Sequence, residues 1–261
     1  TGIMQRSINL LYFDSLILLV MVVSLDQKSN RRCKILRFTL VSEDFYKTLF
    51  RQDYKSYDCG PACAKMMLSY YGIERSIAQI KKRVRVHGKI GTFSPQLGSF
   101  FIKNGFDVQI VTFNPFIFTN RDRKGLSKVQ LIKRFSELRK KLDKRDNKLA
   151  CKYYIEYLRL GGRIRIRIPS KSDIEGEIRA GRPTIVPLTS KFLRWHKPRF
   201  NSHFNVVTGI DRKMIYVNDP VADSSGGRKT HNADDFMFGI YANAFGAADN
   251  CSIIKIRRSY P

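Results

Sequence analysis

Cys59 lies in the run Asp58-Cys59-Gly60-Pro61, a setting that gives its thiol chemical prospects. The Gly-Pro pair reads as a helix start. A thiol at a helix mouth meets unpaired N–H groups and the positive end of the helix dipole, and both favour the thiolate. A thiolate nucleophile needs a base within reach, and the base needs a group to orient it. Four histidines are available, His87, His196, His203 and His231. Only His203 has an orienting partner in prospect. A hairpin turning about Asp211 sets His203 directly opposite Asp219, with side chains about 5 Å apart. Gln52, seven residues before Cys59, offers an amide donor for a developing oxyanion beside the backbone N–H of Cys59.

Each assignment has a bland counterpart. Cys59 alone reads as a small buried residue at a helix start, His203 as a surface histidine, and Asp219 before Pro220 as a turn residue. Gln52 is the weakest, because a glutamine proves little by itself. The combination is what favours chemistry.

The elements that must position these residues are legible from residue 50 onward. Cys59, Ala62, Cys63, Met66, Met67 and Tyr70 recur at helical spacing until Gly72. Ser76 with Gln79 forms a capping-box pattern, and Ser94-Pro95 opens a further short helix. Residues 106–113 are a strand rich in β-branched and aromatic side chains. Ser172 with Glu175 reads as another capping box. Strands follow at 183–189, 204–210 and 214–218, and the chain ends on a strand.

Between these parts, residues 120–168 hold 17 Lys and Arg against five acids. Val129, Ile132, Phe135, Leu138 and Leu142 form a helical stripe, a second helix follows, and 163–168 alternates as a strand. The segment reads as a basic helical insertion, dispensable for the fold, that offers its charge to an anionic partner, nucleic acid or an acidic membrane surface.

The set Gln52, Asp58-Cys59-Gly60-Pro61-Ala62, Tyr70-Tyr71-Gly72, His203, Val206-Val207, Gly209 and Asp219-Pro220 resembles the C39-like cysteine peptidases. These are papain-fold proteins related to the bacteriocin-processing domain of peptide exporters. The resemblance spans about residues 46–113 and 172–257. It implies an α+β, papain-like fold with an N-terminal helical part, an antiparallel sheet and the basic insertion. It also implies roles: Cys59 the nucleophile, His203 the base, Asp219 its orienter and Gln52 the oxyanion donor. Two departures stand out. The stretch between Cys59 and His203 is lengthened, and no G-x-x-x-x-G-K-[ST] cassette motif follows. Cleavage after a double-glycine leader is therefore not implied, and the substrate, a peptide or protein, stays open.

Composition bounds the rest. The chain has 261 residues, 43% hydrophobic and 27% charged, which excludes a collagen, a bare coiled coil and a wholly disordered chain. Lys and Arg number 48 against 22 acids, a net charge of +26. Five cysteines, an odd count, do not suggest a disulfide framework, and no pair has structural-zinc spacing, so no cofactor or metal is expected. Residues 1–40 are set apart as an apolar N-terminal segment, a signal, an anchor or an artefact. The run 8–25 barely reaches bilayer length and carries Asp14. It makes the chain membrane-associated or exported if genuine, and cytoplasmic otherwise. Residues 41–261 are then one peptidase domain. The leading expectation is a thiol hydrolase working through an acyl-enzyme. An acyltransferase with the same triad and a silent binding protein are the alternatives.

Overall fold

The Asp58–Pro61 run opens helix α1 (Cys59–Tyr70), with Asp58 as its N-cap. Glycine at position 60 has a packing reason. A Cβ there would sit 2.9 Å from the Thr92 Cβ, so a larger residue would push away the loop that closes over the helix mouth. Helix α2 (Ile77–Val84) starts with the reciprocal cap expected for Ser76 and Gln79, both bonds at 3.2 Å. Helix α3 (Ser94–Ile102) follows.

The computed structural model describes residues 48–259 except 89, 194–199, 222–226, 247, 248 and 250, and adds the backbone of three short strands, β1 (Ile8–Asn9), β2 (Leu19–Val22) and β3 (Leu36–Leu40). The nature of the apolar run 8–25 thus falls largely outside the described residues, as do Trp195 and His196. Among the described residues, no helix is long and apolar enough to cross a membrane.

The sheet is built from β4 (Phe106–Thr112), β5 (Arg163–Ile166), β6 (Thr184–Thr189), β7 (Ser202–Ile210), β8 (Met214–Asp219), β9 (Gly227–Asn232) and β10 (Ser252–Arg258). Its order is β9-β8-β7-β6-β10-β4-β5, antiparallel throughout except for β4 beside β5, and β3 adds to β7 at Thr39↔Ile210. Alternating side chains feed two cores. Ile185, Val206, Ile254 and Ile256 join α1, α2 and α3 in one, with Met66, Met67, Leu97 and Phe101. Val186, Val207 and Ile253 enter the other, beneath α6 (Lys171–Arg179) and α8 (Ala233–Ala242). Both faces being covered, every residue of β6 is buried. A short helix α7 (Ser190–Leu193) follows β6.

The start of α6 differs from expectation. Ser170, not Ser172, precedes the first turn, and the Asp173 carboxylate accepts from the Ser170 N–H at 3.0 Å. Asp173 prevails over Glu175 because Arg167 and Lys255 also converge on it.

Residues 120–168 form a 3-10 turn (Asn120–Lys124), α4 (Lys128–Lys141), α5 (Arg145–Arg159) and β5. They are helical and basic, as expected, but their expected dispensability is corrected by the packing. Phe135, Tyr154 and Tyr157 are among the largest fully buried side chains and belong to the same core as α1 and α3. The Phe135 and Tyr154 rings stack at 4.6 Å. Tyr157 donates to the Val108 carbonyl at 2.9 Å, and its ring lies so close to Gly98 that a Cβ there would come within 2.6 Å. The stripe is also turned: Leu131 and Phe135 face inward, whereas Val129 is 77% exposed.

Candidate active site

The hairpin that carries two of the candidate residues forms with a different register. Its tip is Arg212-Lys213, closed by the Asp211 N–H on the Met214 carbonyl at 2.9 Å. The Asp211 Oδ1 makes this turn by accepting from the N–H groups of Lys213 and Met214, both at 2.7 Å. A bulge at Thr208 then shifts the pairing, so that Val206 faces Asn218. Continuing that ladder sets Asp219 level with Asn205, not with His203, which corrects the expected direct pairing. The two displacements together amount to an even shift, so both side chains keep a common face. Diagonal neighbours are still within reach of a histidine. His203 Nε2 donates to Asp219 Oδ1 at 2.7 Å.

Asp219 is held from three sides. Beside the imidazole, its Oδ1 accepts from the Val221 N–H at 3.0 Å, and its Oδ2 receives Lys229 Nζ at 3.0 Å. The Lys229 side chain is only 15% exposed. Sequence reading missed Lys229. β9 reads Gly-Arg-Lys-Thr-His-Asn, and nothing in that polar alternation distinguishes one buried ammonium.

Because Asp219 occupies Nε2, Nδ1 is the ring nitrogen left to face the Cys59 thiol, with which His203 also interacts. Burial disfavours the thiolate. The hydrogen bond and charge of His203 outweigh it, helped by the backbone at Phe204 and Gly60, and the Cys59 thiol lies below its ordinary pKa. Burial likewise disfavours imidazolium, yet Asp219 and Cys59 raise His203 to about 9. For Asp219, burial is overcome by His203 and Lys229, and the carboxyl is depressed far below the usual range. The other described thiols go the opposite way. Burial raises Cys63 well above normal, Cys151 to about 11 and Cys251 to about 12. Cys59 is the described thiol whose surroundings favour the nucleophilic form.

Gln52 lies on the loop before α1. Its backbone N–H bonds to the Pro220 carbonyl at 2.8 Å, which ties that loop to the residue after Asp219. Its Nε2 donates to the Ser56 carbonyl at 3.0 Å, and among the described residues the second amide hydrogen has no partner. At the helix mouth, Asp58 is buried and pairs with Lys81 Nζ at 2.7 Å. His87 pairs with the Tyr153 hydroxyl and His231 stacks on Phe236. Neither belongs to this constellation.

A cysteine at a helix mouth, facing a histidine and an aspartate carried by an antiparallel sheet, is the layout of the papain-like cysteine peptidases. Residues 45–249 match the model of the Peptidase_C39 like family, and the chain belongs to that family. Several solved structures are similar to it. The peptidase domain of Streptococcus ComA, a bi-functional ABC transporter involved in a quorum-sensing pathway, is 16% identical over 81% of this chain and 98% of that one, with a TM-score of 0.43. A double glycine motif protease from an AMS/PCAT transporter, solved in complex with the leader peptide, is 13% identical over 81% of this chain and 91% of its own, with a TM-score of 0.42. No curated protein matches the chain.

Proposed function

We propose that this chain is a cysteine peptidase in which residues 41–261 form one domain and Cys59, His203, Asp219 and Gln52 carry the reaction. The observation that carries the reading is the relay from Cys59 through His203 to Asp219, in which the thiol is lowered while the other described thiols are raised. The Cys59 sulfur attacks the scissile carbonyl, and the oxyanion is met by the Cys59 N–H and the free Gln52 amide hydrogen. His203 gives its Nδ1 proton to the leaving amine, and the thioester remains. His203 then takes a proton from water, whose oxygen attacks the thioester, and keeps it as the Cys59 sulfur departs as thiolate, which restores the ion pair. Asp219 holds the imidazole and does not itself take the proton.

The test begins with alkylation by iodoacetamide and mapping of the labelled residue. Cys59 is expected to react fastest, at pH values below the normal thiol pKa of ~8.5. Faster labelling of Cys33, Cys151 or Cys251 would refute the assignment. Against a peptide library, Cys59→Ala should abolish turnover and His203→Ala nearly so. Gln52→Ala should cost on the order of 10²-fold in kcat with little change in KM. Activity requires thiolate and imidazolium together. It should rise as Cys59 ionises and fall as pH passes through about 9, where His203 loses its proton.

A further inference from the structure

A cleft of about 590 Å³ opens between α2, α3 and α5. Lys82, Arg83 and Arg85 at the end of α2 and Lys103 just after α3 line it. Among the described residues, none of these four has an acidic partner within ion-pair distance. The one acid in the lining, Glu156, faces Lys152 at 3.8 Å. The Ser99 hydroxyl, also in the lining, is buried and has no partner among the described residues. The helix dipole accounts for cations in the last turn of α2. Arg85 is the C-cap of α2 and Lys103 the C-cap of α3, so the dipoles of two helix ends gather all four cations at one cleft, yet neither dipole supplies a carboxylate to pair with them. Four like charges around one concavity repel one another until an anion enters.

The cleft is linked to the mouth of α1. Lys81, beside Lys82, pairs with Asp58. Thr92, which packs on Gly60, is seven residues from Arg85, a stretch that spans at most about 25 Å. An extended peptide with its carbonyl at Cys59 covers that distance in about eight residues.

We propose that this cleft is an exosite for an acidic segment of the substrate, a cluster of Asp and Glu within about eight residues of the bond cleaved. The proposal rests on the peptidase reading of Cys59. Nucleic acid fits less well. The aromatic rings in the lining, Phe100 and Tyr153, are buried and give a single strand no surface to stack on. A duplex does not enter a cleft of this size. Carboxylates spaced along a flexible chain match four separated cations.

The test uses the full chain carrying Cys59→Ala, so that binding is read without turnover. A fluorescein-labelled peptide with a Glu-rich segment is titrated by anisotropy at several salt concentrations. Binding should weaken with salt, and Arg83→Glu with Lys103→Glu should lower affinity at least tenfold. As a control, Arg139→Glu with Lys148→Glu, in a second basic cleft between α4 and α5, should change it less than twofold. In the active chain, the first pair should raise KM for acidic peptides and leave kcat, and turnover of neutral peptides, unchanged. Equal losses from both pairs would reduce the effect to net charge and overturn the proposal. An oligonucleotide that displaces the peptide and needs the same four cations would reassign the cleft to nucleic acid. Binding of the acidic peptide by a chain that cleaves no peptide would keep the exosite and refute the peptidase reading. Cleavage of acidic peptides unaffected by the first pair would do the reverse.

Discussion

Around α6, cations and acids are matched. Arg167 and Lys255 converge on Asp173, and Arg182 and Arg257 on Glu177, with both carboxylates buried. Around α5, by contrast, Lys82, Arg83, Arg85 and Lys103 line one cleft and Arg139, Lys140, Arg145 and Lys148 the other, and among the described residues none of them meets an acid. The +26 of the chain is therefore unevenly placed. Asp173 and Glu177 take up the cations where α6 meets β6 and β10, whereas on the α5 side Lys152 pairs with Glu156 and these eight cations meet no acid among the described residues. Charge near α6 holds the structure together; charge near α5 is available to something outside it.

The sharpest way to break this contrast is to remove the α5 region altogether. Replacing residues 120–168 by a short Gly/Ser linker should abolish cooperative thermal unfolding, because Phe135, Tyr154 and Tyr157 leave the core with it. Losing even one such aromatic costs about 3–5 kcal/mol, and the whole margin of a domain is about 5–15 kcal/mol. A cooperative transition in calorimetry would show that only the charged surface of the segment matters.

The next largest effect lies at α6. Asp173→Asn keeps an acceptor for the Ser170 N–H but leaves Arg167 and Lys255 facing a neutral group. The cost should be roughly 2–3 kcal/mol by urea denaturation, below the ~3–5 of a fully buried broken pair, since Arg167 keeps access to water. Burial works against this carboxylate, but Arg167 and Lys255 draw its pKa down to about 2. Its contribution is therefore complete above the unfolded value of ~3.9 and disappears as pH falls through about 2. The Asn variant should not show that acid loss.

Lys229 tests whether matched charge also serves the site. Lys229→Met removes the donor to Asp219 Oδ2 while leaving the bonds to Oδ1. A fall in kcat of about tenfold is expected, equivalent to ~1.4 kcal/mol, with KM unchanged and partial rescue by Lys229→Arg. Unaltered kcat and pH profile would make Lys229 a purely structural tie between β9 and β8.

Much of this was legible in the sequence, for identifiable reasons. Local signals carried well. The Gly-Pro at 60–61 opened α1, and Ser76 with Gln79 capped α2. His203 and Asp219 were paired through hairpin geometry, and they do meet, yet in another register. The bulge at Thr208 is marked only by Gly209 beside it, since an isolated strand glycine favours a bulge without fixing the register, and the Asp211 turn differs from one centred on Asp211 by where its side chain bonds. What could not be read was long-range. Tyr157 against Gly98, Lys255 on Asp173 and Lys229 on Asp219 each join residues far apart or on polar strands. The aromatic stripe of 120–168 was visible. That it faces the common core rather than a core of its own depends on α3 and β4, which no local pattern reveals.

The smallest effect expected is the most telling for the contrast. Arg139→Gln, Lys140→Gln and Lys148→Gln, singly, should each change stability by no more than about 0.5 kcal/mol, the usual range for surface substitutions. The sign should favour the variant at low ionic strength, because each removes one of several cations that repel their neighbours across the α4–α5 cleft. Raising salt to 1 M shrinks the screening length to about 3 Å and should erase the gain. Asp173→Asn should respond less to the same salt, because the carboxylate and Lys255 are buried and so poorly screened. Urea curves at low and high salt for both sets separate the two outcomes. If a cation around α5 proves as costly to remove as Asp173, it is paired in solution, and the idea of charge left available to a partner falls with it.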